Sequence, residues 1–380
     1  MNIKSLLLGS AAALAAVSGA QAADAIVAAE PEPMEYVRVC DAFGTGYFYI
    51  PGTETCLKIG GYVRFQVDGR SDLDLAGPAG FSASTEGGYR TNTRGQIAVE
   101  AKNDTEYGTL ASKITVRANN NSSSTDFYLE ETYFQLGGLR VGYFYNYFDN
   151  GLPGETVLSD GPAGFKNSSR TTFDGVAFGG GLGGDTLNNS IRYTYDAGSF
   201  SVYGQVDAFN SQAGYKTDNY SLGGGDFTDN RDEIGVNGVI TGKFGGVTVD
   251  FFAGYDFDAE DAAFASTLTA AIGPGSLGVF AAYATGANRY FDAAEWTIGA
   301  EYAIKVTDKF SVAPGVQYWD KVTYAAGDFQ DGDAWRAGIT ADYKITTNLA
   351  AKATVNYTDI DTGSESADRW DGFLRLQRSF

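Results

Sequence analysis

Between Trp335 and Tyr357 the hydrophobic and polar positions alternate almost without a break. Trp335, Ala337, Ile339, Ala341, Tyr343 and Ile345 fall on one face; Arg336, Gly338, Thr340, Asp342, Lys344 and Thr346 fall on the other. A period of two over this length is a β-strand with one apolar and one polar side. After Thr347-Asn348 the pattern resumes, with Leu349, Ala351, Ala353, Val355 and Tyr357 opposed to Lys352, Thr354, Asn356 and Thr358. Each arm has about eleven residues, or roughly 36 Å at ~3.3 Å per residue. That is about twice the strand expected of a soluble sandwich. Tilted by ~40°, an arm rises about 28 Å, close to the ~25 Å apolar band of an outer-membrane barrel. Trp335, Tyr343 and Tyr357 stand near the ends of the apolar rows, where membrane interfaces favour aromatic rings. The hairpin is patterned for lipid on one side and water on the other.

The same rule applied along the chain predicts strands at 57–69, 88–102, 107–118, 126–136, 139–147, 190–196, 200–209, 232–243, 247–256, 265–272, 276–284, 293–306, 310–322, 334–346, 349–359 and 368–380. That makes sixteen, an even number, as a closed single-chain barrel requires. Short turns such as Asn103-Asp104, Gly137-Gly138 and Thr347-Asn348 alternate with longer links, among them 70–87, 148–189, 210–231 and 285–292. Short periplasmic turns with longer external loops are the pattern of an all-β, antiparallel, up-and-down transmembrane β-barrel. The parity puts both chain ends in the periplasm.

The start of the chain is read apart from the fold. Lys4, the apolar run Leu6 to Val17 and the Ala20-Gln21-Ala22 cleavage site mark residues 1–22 as a signal peptide. Residues 23–56 are read as an N-terminal periplasmic segment and 57–380 as the barrel. No later stretch reaches ~18 uninterrupted apolar residues, so no spanning helix is expected. Cys40 and Cys56 are the two cysteines, and export makes a disulfide between them the first reading. The formal charge of −20 argues against a nucleic-acid partner. With no histidine, Ser-His-Asp and Cys-His catalysis and His-ligated metal sites have no candidates. No enzyme activity and no cofactor are expected.

The stretch Glu35 to Phe65, EYVRVCDAFGTGYFYIPGTETCLKIGGYVRF, closely resembles the start of the mature outer-membrane porins of rhizobia, brucellae and related alphaproteobacteria. The ending FLRLQRSF is similar to that family's too. The resemblance implies a 16-stranded barrel, a homotrimer, and a third external loop folded into the lumen. The terminal Phe380 resembles the signal read by barrel-assembly machinery, although Arg378 interrupts its apolar row. Outer-membrane lipid and lipopolysaccharide would surround such a barrel.

The 148–189 link is by far the longest and takes the position of that third loop. Its acidic residues Asp149, Glu155, Asp160 and Asp174, accompanied by Lys166 and Arg170, are the candidate loop side of a pore constriction. Arg64, Arg94, Lys113, Arg117 and Arg140 fall on polar rows and are the candidate wall side. A Lys or Arg facing lipid at mid-depth would cost ~2–4 kcal/mol, which sends these side chains to the lumen. Opposed charges across a narrow water passage select ions and orient polar solutes. Gly180 to Leu187 fits a single calcium-binding nonapeptide, which needs stacked repeats to work and is read as loop. The expected function is passive diffusion of small hydrophilic solutes and ions. The alternatives are a plugged barrel acting as adhesin or receptor, and a secreted soluble β-protein.

Overall fold

The computed structural model describes residues 38–76, 82–85, 87–121, 125–149, 151–158, 187–209, 234–325, 328–363 and 365–380. The expected signal peptide, Asp160, Lys166, Arg170 and Asp174 lie outside these residues. Sixteen long strands follow one another: β1 (Cys56–Arg70), β2 (Gly88–Thr105), β3 (Gly108–Asn121), β4 (Thr125–Leu136), β5 (Leu139–Tyr145), β6 (Leu187–Asp196), β7 (Phe200–Ala208) and β8 (Ile234–Phe244). They continue with β9 (Val247–Asp256), β10 (Asp261–Ile272), β11 (Gly275–Ala284), β12 (Trp296–Lys305), β13 (Phe310–Asp320), β14 (Asp333–Thr346), β15 (Leu349–Asp361) and β16 (Ser366–Ser379). Each pairs antiparallel with the next, and β16 returns to β1 with Arg64 opposite Gln377 and Val67 opposite Leu374. The described strands close into a ring, the arrangement by which a sheet satisfies its backbone groups in lipid. None of the described helices is long and apolar enough to cross a membrane, and the crossing is made by strands.

The alternation sorts the side chains as expected. Ile59, Val63 and Phe65 on β1 and Leu374 and Leu376 on β16 are exposed on the outside. Arg378 stands exposed on that same outer row, opposite Leu349 at the short-turn rim. Phe380 closes the ring: its N–H donates to the Gly61 carbonyl at 3.0 Å, and Gly61 returns the bond at 3.2 Å. One expected turn moves. Asn103 and Asp104 are paired within the β2–β3 ladder, and the chain reverses at Glu106 and Tyr107. At Gly137 the φ of +55° is the left-handed conformation that a two-residue hairpin turn needs.

A hydrophobic core sits inside the ring, which strand patterning alone does not predict. Phe252 on β9, Phe280 on β11 and Trp319 on β13 point inward and are fully buried. They meet Tyr147, Phe148, Leu152 and Val157 from the segment after β5, and Tyr290 and Phe291 from the link before β12. Phe252 stacks on Tyr147 with ring centroids 5.1 Å apart and meets Phe148 edge-on at 4.9 Å. The 285–292 link, expected outside, therefore turns into the bore. Buried Arg289 holds it there through Asp256 at 3.2 Å and Asp258 at 3.0 Å, and the Tyr290 hydroxyl donates to Asp207 at 2.7 Å.

The two cysteines form the expected disulfide, with Cα atoms 5.9 Å apart. Cys56 opens β1, so the bridge ties the preceding segment to the barrel rim. Phe48 and Tyr49 extend the ladder of β1 beyond the reach of β16. Tyr47 is buried and donates to Glu100 on the inner row of β2 at 2.6 Å. Burial, first, and the nearby Glu100 carboxylate hold this phenol protonated well above its ordinary pKa. Replacing Cys40 by serine is expected to expose residues 38–56 to protease while the barrel stays folded, since closing a loop of this size is worth about 3 kcal/mol in the chain-entropy model. Limited proteolysis beside the unheated gel mobility of the barrel checks this.

Candidate functional site

The interior is divided. The strands from β8 to β15 are backed by the aromatic cluster and the two inturned segments, whereas β1 to β4, with Arg375 of β16 beside them, face open space. A cavity of about 400 Å³ runs along this open wall. Arg64, Arg94 and Arg117, three of the five expected wall residues, line it together with Arg90 and Arg375. Asp68, Glu130 and Asp149 supply its carboxylates. Lys113 and Arg140 stand apart, in a second space of about 480 Å³ with Glu100, Lys102 and Tyr133. Phe43 of the disulfide-bonded segment lines this second space as well. The reason is height. Arg140 is the second residue of β5, next to the Gly137-Gly138 turn, whereas Arg64 and Arg94 face each other well inside their strands.

Partners distinguish the basic residues further. Arg117 is paired with Glu130, Lys113 with Glu131 at 2.6 Å, and Arg90 with Asp68 at 2.9 Å. Glu130 reaches the bore because the β3–β4 register shifts between Thr115 and Val116, which leaves it as the extra residue of a bulge. A bulge re-aims a side chain that alternation would have turned away. The adjacent glutamates Glu130 and Glu131 inside an amphipathic strand were its sequence signal. Arg375 was not singled out in the sequence, because FLRLQRSF reads there as an assembly signal.

Of the expected loop acids, Asp149 lines the open cavity, while Glu155 is buried and committed. Its carboxylate accepts from Lys352 at 3.0 Å and from Arg375 at 3.4 Å. Glu155 thus anchors the segment to the wall instead of presenting a free charge. The seat beneath it is a cross-strand row, Gly278, Glu301, Gly315, Gly338 and Asn356, in register from β11 to β15. Glu301 accepts backbone N–H groups of Gly154 at 2.7 Å, Thr156 at 2.6 Å and Val157 at 2.7 Å. The Thr156 hydroxyl adds a bond to Asn356 at 2.9 Å. The glycines let the segment lie close to the wall; a Cβ on Gly338 would come within 1.9 Å of Asn356 Oδ1 and 2.7 Å of Thr156 Oγ1.

An apolar exterior, a closed ring and a charged, partly open interior define a transmembrane β-barrel channel. The Porin subfamily model matches residues 24–373, and the chain belongs to that family. Among its relatives, outer membrane protein IIIA of Rhizobium leguminosarum bv. viciae is 42% identical, with 96% of this chain and 92% of the relative covered. Porin Omp2b of Brucella abortus is 33% identical with both chains fully covered. Among solved structures, the outer membrane channel DcaP of Acinetobacter baumannii has the same fold, with a TM-score of 0.63 at 13% identity over 87% of this chain and 99% of that one. The protein is a general diffusion porin of the Gram-negative outer membrane.

Proposed function

We propose that solutes cross the bore through a charged constriction between residues 147–158 and the basic wall of β16, β1, β2 and β3. The observation that carries this reading is the seating of Gly154, Thr156 and Val157 on Glu301, which commits one side of the bore to protein and leaves the arginine-lined side to water. Five arginines and three carboxylates line that side. The net charge of −20 does not decide the sign of selectivity. Charges on the outer surface are screened beyond a Debye length of about 8 Å at physiological salt. The wall arginines lie in direct reach of a passing ion, so the channel prefers anions. Residues 1–22 act as the export signal, residues 23–56 as a periplasmic segment, and the barrel assembles as a homotrimer in lipopolysaccharide-bearing membrane after insertion by the barrel-assembly machinery. The domain limits rest on the sequence pattern and the trimer on the family resemblance.

Purified protein added to planar bilayers should give stepwise conductance, with steps in groups of three. Its reversal potential in a potassium chloride gradient should lie toward chloride. Arg94→Ala should reduce the chloride-to-potassium permeability ratio by about threefold, the effect of removing one nearby charge in a partly hydrated passage. A silent membrane would count against the channel, and a cation-selective wild type against the constriction as drawn.

A further inference from the structure

Two rows on the inner wall share one composition. In the first, Gln377 on β16, Arg64 on β1, Arg94 on β2 and Asn119 on β3 are successive register partners. In the second, Gln135 on β4, Arg140 on β5, Arg192 on β6 and Gln205 on β7 stand in the same order. Both read amide, arginine, arginine, amide. Each arginine spends its Nε–H on the flanking amide oxygen: Arg64 on Gln377 at 2.8 Å, Arg94 on Asn119 at 2.6 Å, Arg140 on Gln135 at 3.0 Å, and Arg192 on Gln205. Among the described residues none of these four has a carboxylate within ion-pair distance, unlike Arg117 and Arg375 of the same wall, although Glu130 lies in electrostatic reach of Arg94 and Asp207 of Arg192.

This arrangement is unfavourable for the empty barrel. Like charges directly opposite on neighbouring strands destabilise a sheet. A glutamate in the flanking position would cancel each repulsion, as Glu130 does for Arg117. An amide instead fixes the plane of the guanidinium and leaves its charge intact. In the first row the terminal nitrogens of Arg64 and Arg94 have no protein acceptor among the described residues. In the second row the fork is partly engaged, since Arg140 also reaches Gln135 at 2.8 Å and Arg192 the Tyr145 carbonyl at 3.0 Å. Two oriented guanidinium forks side by side match the oxygens of a carboxylate or phosphate group.

We propose that the Arg64/Arg94 pair is an anion-binding step in the bore for solutes carrying a carboxylate or phosphate group. Gln377 and Asn119 are its positioning residues, and Arg140/Arg192 is a weaker second step nearer the short-turn rim. Conduction needs such binding to be weak and repeated along the path, which two partly hydrated steps satisfy. The proposal rests on the constriction described above and adds a ligand class and two amide roles to it.

The test uses the purified full-length mature protein in planar bilayers, with inorganic phosphate as the probe. Phosphate should depress the wild-type chloride current saturably. The double variant Gln377→Glu/Asn119→Asp is nearly isosteric and places a carboxylate on each Nε. It should stay conducting, lose the phosphate block and lower the chloride-to-potassium ratio about tenfold. Gln377→Met keeps the charge and removes the acceptor. It should hold the permeability ratio while raising the half-blocking phosphate concentration about threefold, the loss of one orienting hydrogen bond. A purely structural role for the amides would leave the half-blocking phosphate concentration of Gln377→Met at the wild-type value, since that variant adds no charge to the bore. Succinate in place of phosphate separates the sources: equal block supports a general oxyanion step, and block by phosphate alone supports a phosphate-bearing solute. A conducting double variant with wild-type block and ratio overturns the proposal while leaving the channel reading in place. A silent wild type overturns both.

Discussion

Replacing Glu301 by alanine is expected to widen the channel. This carboxylate is buried and accepts three backbone N–H groups of the segment after β5, those of Gly154, Thr156 and Val157. Hydrogen bonds to a charged group contribute about 1.5–3 kcal/mol each, and a buried donor left without a partner costs about 1–3 kcal/mol. Alanine would orphan all three amides at once. The bonds from Glu155 N–H to Thr340 and from Thr156 to Asn356, and the ion pairs of Glu155 with Lys352 and Arg375, hold the segment at other points but give the three orphaned amides no acceptor. The segment should leave its seat, and single-channel conductance should rise about twofold as the excluded half of the bore fills with water. Liposome swelling should show larger sugars entering. Gly338→Leu should produce the same change by another route, because its side chain occupies the space taken by Thr156 and Asn356. Unchanged conductance in both variants, with normal heat-modifiable mobility, would show that the seat does not set the pore.

Asp371→Ala should give the largest loss of stability. Asp371 and Arg336 form an ion pair at 2.9 Å, with side chains 0% and 1% exposed. Arg369 is buried on the same strand two residues before Asp371. Breaking a buried ion pair by removing one member costs about 3–5 kcal/mol. The barrel should unfold at clearly lower temperature or urea concentration, followed by its mobility on unheated gels. Asp371→Asn, which keeps an acceptor for Arg336, should lose less. Equal stability of the alanine variant would mean that water reaches Arg336 in solution.

The positions of the sixteen strands were legible because lipid and water impose opposite demands on alternate residues, and the chain records them directly. Trp335 to Tyr357 folds as the hairpin its pattern describes, apart from a register shift between Lys344 and Thr346. Errors lie where that demand lapses. The 103–104 turn was misplaced because polar Asn103 and Asp104 near the rim satisfy strand or turn equally well. Glu130 was missed because a bulge changes parity by one residue without changing composition. Phe252, Phe280 and Trp319 lie on inward rows, where water was expected, and only their partners Tyr147, Phe148 and Phe291 explain them.

The candidate site was legible by residue type and not by grouping. Strand parity sent Arg64, Arg94, Lys113, Arg117 and Arg140 to one face, and all five line interior space. It carried no information on height, so it could not separate the first, second and fourth of these from the other two. Nor could it tell that Glu155, a charge like its neighbours in the chain, would be spent on Lys352 and Arg375.

By itself the sequence determined the strand count, the closed barrel and the sidedness of the rows away from the β3–β4 bulge, because each follows from local alternation and turn spacing. Tertiary structure alone decided which half of the bore is filled, which arginines meet, and which of them are ion-paired with a carboxylate. Those outcomes depend on contacts between residues far apart in the chain, such as Glu301 with Gly154 and Arg64 with Gln377, and on register around a closed ring, which no local pattern encodes.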